Sequence, residues 1–138
     1  MALKKLEHYL LRAQDLEKSK RFYTEILGLQ VGYRPPFLFQ GYWLYLHDTP
    51  VIHLVAALTP NKAQQHYLDH GDHVSADGTG AIDHIAFHAD NFTTMLQHLN
   101  NLSVKTLHRT VPEEGGVQQI FIWDPDGIKI ELNFAERV

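Results

Sequence analysis

Hydrophobic and polar residues in the first half of the chain follow a period of two, then a helical period, then a period of two again. Residues 6–12 alternate and predict a strand. Residues 15–28 carry an apolar stripe at helical spacing, which begins after Asp15, a helix-capping residue type, and ends at Gly28. Runs of aromatic and β-branched residues predict three further strands, at 29–33, 41–46 and 51–56. The predicted order is therefore β-α-β-β-β.

The second half of the chain repeats this order after a long polar interval. Residues 82–89 predict a strand, and Asp90 or Asn91 is placed to cap the helix that follows. The stripe of that helix has the spacing i, i+3, i+4, i+7 and consists of Phe92, Met95, Leu96 and Leu99. Three more strands are predicted, at 104–110, 117–123 and 128–134. An internal repeat of this kind indicates a duplicated module.

The repeat predicts a single domain, residues 1–138, made of two tandem βαβββ modules with an α+β fold. Module one covers about residues 4–58, a connector about 59–80, and module two about 81–136. The connector is polar, and a short helix is expected near residues 64–68. Its histidines and acids are interpreted as a solvated segment, with a lid over a binding site as the alternative; they are His66, Asp69, His70, Asp72 and His73.

Composition narrows the class of protein. The 138 residues are 44% hydrophobic and 20% charged, which is ordinary for a globular domain. The net charge of −4 argues against nucleic-acid binding as the main task, and no apolar run approaches the roughly 20 residues of a membrane span. The absence of cysteine excludes disulfides and thiol nucleophiles. The N-terminal residues lack the apolar core of a secretory signal, so a cytoplasmic location is expected.

Four of the residues that can bind metals recur at equivalent places in the two halves. His8 and His84 lie in the opening strands, whereas His53 and Glu131 lie in the closing strands. Imidazole and carboxylate ligands in this combination bind zinc, iron, nickel or manganese. Apolar neighbours flank His53 and Glu131 on both sides, so a lone buried Glu131 would be costly, and a metal ion would offset that cost. We therefore expect a divalent metal centre formed by all four side chains.

Three segments of the chain resemble the vicinal oxygen chelate superfamily: Phe22–Leu29, Asp83–Phe87 and Asp124–Leu132. This superfamily includes glyoxalase I, type I extradiol dioxygenases, fosfomycin-resistance transferases, methylmalonyl-CoA epimerase and bleomycin-resistance proteins. The resemblance implies that the paired modules form an open cup-like mixed sheet around a divalent metal. It also implies that His8, His84 and Glu131 are metal ligands.

The choice of reaction within the superfamily stays open. Two histidines and one carboxylate suit Fe²⁺ and oxygen activation, which slightly favours a dioxygenase-like oxidoreductase, with Zn²⁺, Ni²⁺ or Mn²⁺ as alternative ions. However, Phe121 stands where extradiol enzymes have a tyrosine. The second candidate is a glyoxalase-like lyase or isomerase, although His53 replaces the glutamate of bacterial glyoxalase I. The third is a non-catalytic, bleomycin-resistance-type protein that binds a small molecule.

Other residues are candidates for catalysis or substrate binding. His53 is an acid–base candidate as well as a ligand, and His88 shares the face of His84 by strand alternation. Arg12 shares the face of His8 and is a candidate for binding a carboxylate or phosphate, with an exposed strand end as the alternative. The aromatic residues of the strands either stack on a substrate or simply pack; they are Trp43, Tyr45, Phe121 and Trp123.

A small-molecule substrate and a homodimer are the expected partners, because relatives of this length commonly dimerise. The metal site then takes all its ligands from one chain, or takes His8 and His53 from one subunit and His84 and Glu131 from the other.

Overall fold

The computed structural model describes residues 6–57, 62–64, 84–111 and 116–135. The chain divides into two compact units, Met1–Asp77 and Gly78–Val138. Residues 62–64 are helical; the rest of the predicted connector helix, and the candidate lid residues from His66 to His73, lie outside the described residues. No helix within the described ranges combines the length and the apolar character needed to cross a membrane.

Unit one contains a four-stranded mixed sheet and helix α1, besides the helical residues 62–64. Its strands are β1 (Tyr9–Ala13), β2 (Gln30–Gly32), β3 (Gly41–Leu46) and β4 (Thr49–Ala56), and helix α1 (Leu16–Arg21) lies between β1 and β2 in sequence. The spatial order is β1-β4-β3-β2, with β1 and β4 parallel and the other neighbours antiparallel.

Unit two has the same element order and the same sheet topology. It consists of β5 (His84–Ala89), α2 (Phe92–Asn101), β6 (Leu107–Val111), β7 (Val117–Trp123) and β8 (Lys129–Phe134). The spatial order is β5-β8-β7-β6, with β5 and β8 parallel. The predicted α+β fold of two tandem βαβββ modules is confirmed.

Each sheet buries one apolar face, and strand alternation places the polar side chains on the other. In unit one, Leu44, Ile52 and Leu54 are fully buried. In unit two, Ile130 and Phe134 are fully buried. The ring of Phe92 in α2 meets the ring of Phe134 edge-on, with centroids 5.4 Å apart, so α2 covers this face of the second sheet. In unit two, strand alternation places Glu131 and Asn133 on the opposite face, and in unit one it places His53 on the face opposite Ile52 and Leu54.

The predicted helix over residues 15–28 is divided into two parts. Asp15 caps α1 as predicted, because its carboxylate accepts a hydrogen bond from the backbone N–H of Lys18 at 3.0 Å. The segment Phe22–Ile26 then widens into a π-helical turn, in which the N–H of Leu27 donates to the carbonyl of Phe22. Gly28, with φ of +80°, ends the helix in the conformation that glycine adopts most easily.

Four strands begin later than the hydrophobic pattern predicts: β1 and β6 by three residues each, and β2 and β8 by one residue each. His8 therefore lies just before β1 and not within it. Hydrogen bonds explain the later starts of β6 and β8. The N–H of Val104 donates to the carbonyl of Leu99 at 3.0 Å, so this residue completes the end of α2 and β6 starts only at Leu107. Similarly, the N–H of Ile128 donates to the carboxylate of Asp124 at 2.9 Å and closes the turn before β8. Apolar residues in a turn or at a helix end show the same hydrophobic pattern as residues in a strand. Their backbone hydrogen bonds distinguish the two cases.

Candidate functional site

Unit one brings two of the four predicted ligands into direct contact. His8 lies immediately before β1, and its ring stacks on the ring of His53 in β4 with centroids 3.8 Å apart and planes at 13°. Trp43, the register partner of His53 in β3, stacks on the other side at 3.9 Å and 8°. His53 is therefore held between two rings, one from each neighbouring strand.

The ring of His53 is buried and neutral at pH 7. Burial, reinforced by repulsion from His8, lowers the pKa of His53 from its ordinary 6.5 to about 4. Its Nε2 atom is buried and has no hydrogen-bond partner among the residues that the structure describes. A buried polar atom left without a partner costs free energy, and a neutral imidazole nitrogen is a metal ligand. His53 therefore fits the role of a ligand.

His8 is also arranged as a histidine ligand. Its Nδ1 lies 3.1 Å from the Oε1 of Glu7 and donates to that carboxylate in the matching tautomer. That tautomer leaves Nε2 as the coordinating nitrogen, and a carboxylate behind a ligand histidine is the usual arrangement in metal sites.

Unit two brings the other two predicted ligands together. His84 opens β5 and Glu131 lies in β8, and alternation places both on the same face, because the register partner of Glu131 is Ala86. The Nε2 of His84 is 3.9 Å from the Oε1 of Glu131. The other carboxylate oxygen accepts a hydrogen bond from Asn133 Nδ2 at 2.8 Å. Glu131 is therefore fixed on one side and keeps Oε1 towards the histidine.

A chain of side-chain hydrogen bonds continues from Glu131 across the second sheet. Asn133 accepts from Gln119 Nε2 at 2.9 Å, and Gln119 in turn accepts from Arg109 Nε at 3.0 Å. Gln119 is only 5% exposed. We call Arg109, Gln119 and Asn133 the amide relay. Sequence analysis did not identify it, although a glutamine and an asparagine inside otherwise apolar strands were the available signal.

A cavity of about 530 Å³ lies on this polar face of unit two. Its lining includes the amide relay and Glu131, together with His88, Val117 and Ala135. His88 is exposed and pairs with Asn133 across the sheet, which agrees with its expected position on the face of His84.

The remaining candidates have varied surroundings. Arg12 lies in β1, and its Nη1 atom is buried without a hydrogen-bond partner, so it is not simply an exposed strand end. Phe121 is buried beside two cations, with Arg109 5.2 Å and Lys129 5.6 Å from its ring centroid. Tyr45 lies against Gly32, where a Cβ atom would come within 2.6 Å of its ring.

The two pairs determine how many candidate metal ligands come together within each unit. Across the described residues of each unit, no three histidine or acidic side chains lie together as a metal-binding group. A metal with protein ligands usually has three or four of them. Within the described residues, His8–His53 and His84–Glu131 are therefore two separate pairs, each with donor types that suit a divalent transition metal.

Comparison with known proteins shows the family. Residues 5–132 match the family described as the Glyoxalase/Bleomycin resistance protein/Dioxygenase superfamily. The chain belongs to this superfamily. The resemblance noted in the sequence is thereby confirmed.

Curated members of the superfamily include enzymes similar to this chain over most of its length. "Glyoxylase I 4" from Arabidopsis thaliana is 31% identical over 134 residues, covering 94% of this chain and 70% of that protein. Lactoylglutathione lyase from Salmonella typhimurium is 30% identical over 136 residues, covering 93% of this chain and 90% of that protein. Among solved structures, a glyoxalase/dioxygenase from Nostoc punctiforme aligns with a TM-score of 0.72 at 22% identity, covering 99% of this chain and 94% of that one. This last likeness supports the fold.

Proposed function

We propose that the protein is a divalent-metal-dependent lyase of the glyoxalase type that acts on a small oxygen-bearing substrate. In this proposal His8, His53, His84 and Glu131 hold the ion. The supporting observation is that each unit pairs two of these four side chains, by ring stacking at 3.8 Å in one and by a 3.9 Å approach in the other.

A lyase is preferred here to the dioxygenase that the ligand types alone favoured. Relatives at about 30% identity are named lactoylglutathione lyase, and the tyrosine of extradiol enzymes is replaced by Phe121. The preference for Fe²⁺ followed from the dioxygenase interpretation. For a lyase, Zn²⁺, Ni²⁺ and Mn²⁺ suit the same donor set.

The protein's own residues then have separate roles in the proposed reaction. When bound, the metal supplies a Lewis acid for a substrate oxygen. His53 is a poor proton carrier near pH 7, because its pKa of about 4 keeps it neutral, so a ligand role suits it better than an acid–base role. His88 faces the cavity as an exposed imidazole and is the candidate to accept and return a proton.

Metal content tests the ligand assignment. We expect about one divalent ion per chain in protein purified without chelators and measured by elemental analysis. His84→Ala and Glu131→Ala are each expected to empty the site, whereas His98→Ala, on the exposed side of α2, should retain the ion. Full occupancy in both site variants would contradict the assignment.

Turnover tests the reaction class. We expect the metal-loaded protein to form or cleave lactoylglutathione or a related thioester, and to consume no oxygen with catechols. Oxygen uptake would favour the dioxygenase instead. Protein that binds no stoichiometric metal and shows neither reaction would favour the non-catalytic binding protein.

A further inference from the structure

One row of polar side chains crosses all four strands of the second sheet. In the strand register, Arg109 pairs with Gln119, Gln119 with Asn133, and Asn133 with His88. Directly paired residues point to the same face of a sheet, so these four side chains form a continuous strip. The cavity of about 530 Å³ is lined by all four of them.

Arg109 is the cationic end of this row and is held in a defined position. Its Nε donates to Gln119, which is nearly fully buried, and its guanidinium lies 5.2 Å from the ring centroid of Phe121. Among the described residues no carboxylate forms an ion pair with Arg109. The two terminal nitrogens of the guanidinium remain, and together they form the planar edge that matches two oxygens of an anion.

The opposite end of the row leads to the proposed metal ligand. Asn133 donates to Glu131, which lies two residues away in β8 and also lines the cavity. Two strand spacings separate Arg109 from Asn133, a distance of about 10 Å. The cavity therefore has a fixed cation at one end and a metal-binding carboxylate near the other.

We infer that this cavity is a binding subsite for an oxyanionic group of the substrate, most specifically a carboxylate, with Arg109 as its anchor. This inference rests on the proposed function, because it places the reacting oxygens of the substrate near Glu131. A carboxylate fits better than a phosphate because Arg109 offers one guanidinium edge to the cavity. Lys129, the other cation beside Phe121, is not among the lining residues, and His88 lies at the far end of the row, three strand spacings or about 14 Å away.

An NMR titration of metal-free, ¹⁵N-labelled protein tests the subsite. The probes are succinate, its uncharged analogue succinamide, and inorganic phosphate, and the readout is the side-chain Nε–H resonance of Arg109. We expect saturable shifts with succinate, much weaker ones with phosphate and none with succinamide. Arg109→Met should weaken succinate binding about tenfold or more, because a charge-assisted bidentate contact is lost. Binding in the variant is followed through the backbone resonances of the strip.

Two further variants separate a specific site from a general charge effect. Arg109→Lys keeps the charge without the planar edge and should bind succinate with intermediate affinity. Arg21→Met, on the exposed end of α1, makes the same change in net charge and should bind succinate as the unmodified protein does. Equal weakening in Arg109→Met and Arg21→Met, or no saturable shift at all, would overturn the subsite. Tighter binding of phosphate than of succinate would overturn its assignment to a carboxylate.

The titration is independent of metal and of turnover. If succinate binding depends on Arg109 but the purified protein holds no ion, the proposed function fails and the anion subsite stands. If the ion is present and Arg109→Met binds succinate normally, the subsite fails and the metal assignment stands.

Discussion

The surroundings of His53 suit a metal ligand better than they suit a residue that only stabilises the fold. It lies between His8 and Trp43, is only 7% exposed, and leaves Nε2 without a partner. An apolar ring of similar size would keep both stacking contacts and remove the unpaired nitrogen, but it would also lose the hydrogen bond between the His53 ring and the backbone of Pro50. Its position therefore indicates a trade of stability for function, which is common at functional sites.

We predict that His53→Phe changes the pH dependence of stability in the metal-free protein. The pKa of His53 is about 4 when folded and near 6.5 when unfolded. Between these values the unfolded chain binds a proton that the folded chain rejects, so stability is lost as pH falls from 6.5 towards 4, by at most about 3 kcal/mol. His53→Phe should lack this pH-dependent loss.

Urea unfolding between pH 4 and pH 7 measures this difference. His98→Gln, on the exposed side of α2, provides the control and should follow the unmodified protein. Parallel curves for His53→Phe and the unmodified protein would show that His53 protonates normally in the folded state. The same variant should also fail to retain the metal, because the phenyl ring has no donor atom.

At the scale of elements, β7 carries two adjacent glutamines with different tasks. Gln119 belongs to the amide relay on the cavity side. Gln118 points to the opposite face, where it accepts from Thr110 and bonds to His108. Both are nearly fully buried, at 5% and 6% exposure. The strand thus offers a matched pair of buried amides, one connected to Glu131 and one not.

We predict that Gln119→Leu weakens metal binding about 10- to 100-fold, the range for residues that support metal ligands. The physical reason is that Asn133 loses the donor that orients it, and Glu131 then loses its fixed conformation. Gln118→Leu should leave metal affinity unchanged while removing a comparable number of hydrogen bonds. Competition titration with a chelating dye measures both affinities. Equal losses in the two variants would mean that the relay acts only through the general stability of the sheet.

Local sequence patterns predicted which helices and strands form better than they predicted the residues at which these begin and end. β3 and β7 have the predicted bounds, Gly41–Leu46 and Val117–Trp123, because most of their residues are aromatic or aliphatic and turn residues follow each strand. The start of β6 was misplaced, since Val104 hydrogen-bonds back to α2. Such bonds depend on the geometry of the helix end, which periodicity does not contain.

The candidate site was predictable to a similar degree. The repeat identified four candidate ligands, and each unit pairs two of them; that they bind a metal stays a prediction. The amide relay was not foreseen because its members are brought together by strand register across three strands. A sequence shows that Gln119 and Asn133 are polar, but not that they face each other.

At the scale of the whole molecule, duplication explains why the ligands come in two pairs. Each unit has the same strand order, and each contributes one residue before or at the start of its first strand and one from its last. Two ligands do not complete a metal site. The proposed centre therefore needs one unit of each kind, either from one chain or from two copies, and a two-fold symmetric dimer of the second type contains two equivalent sites.

We predict that the protein is a dimer, and complementation between two metal-free variants tests whether its sites are shared between the two copies. His8→Ala and Glu131→Ala should each lose the ion. When they are unfolded together and refolded, half of the dimers are mixed, and each mixed dimer has one site with all four ligands, so about a quarter of the sites should regain metal. Elemental analysis gives the recovery, and sedimentation gives the oligomeric state. A dimer that recovers no metal would assign all four ligands to one chain, because no pairing of the two variants then restores an intact set of ligands. A stable monomer would exclude a shared site.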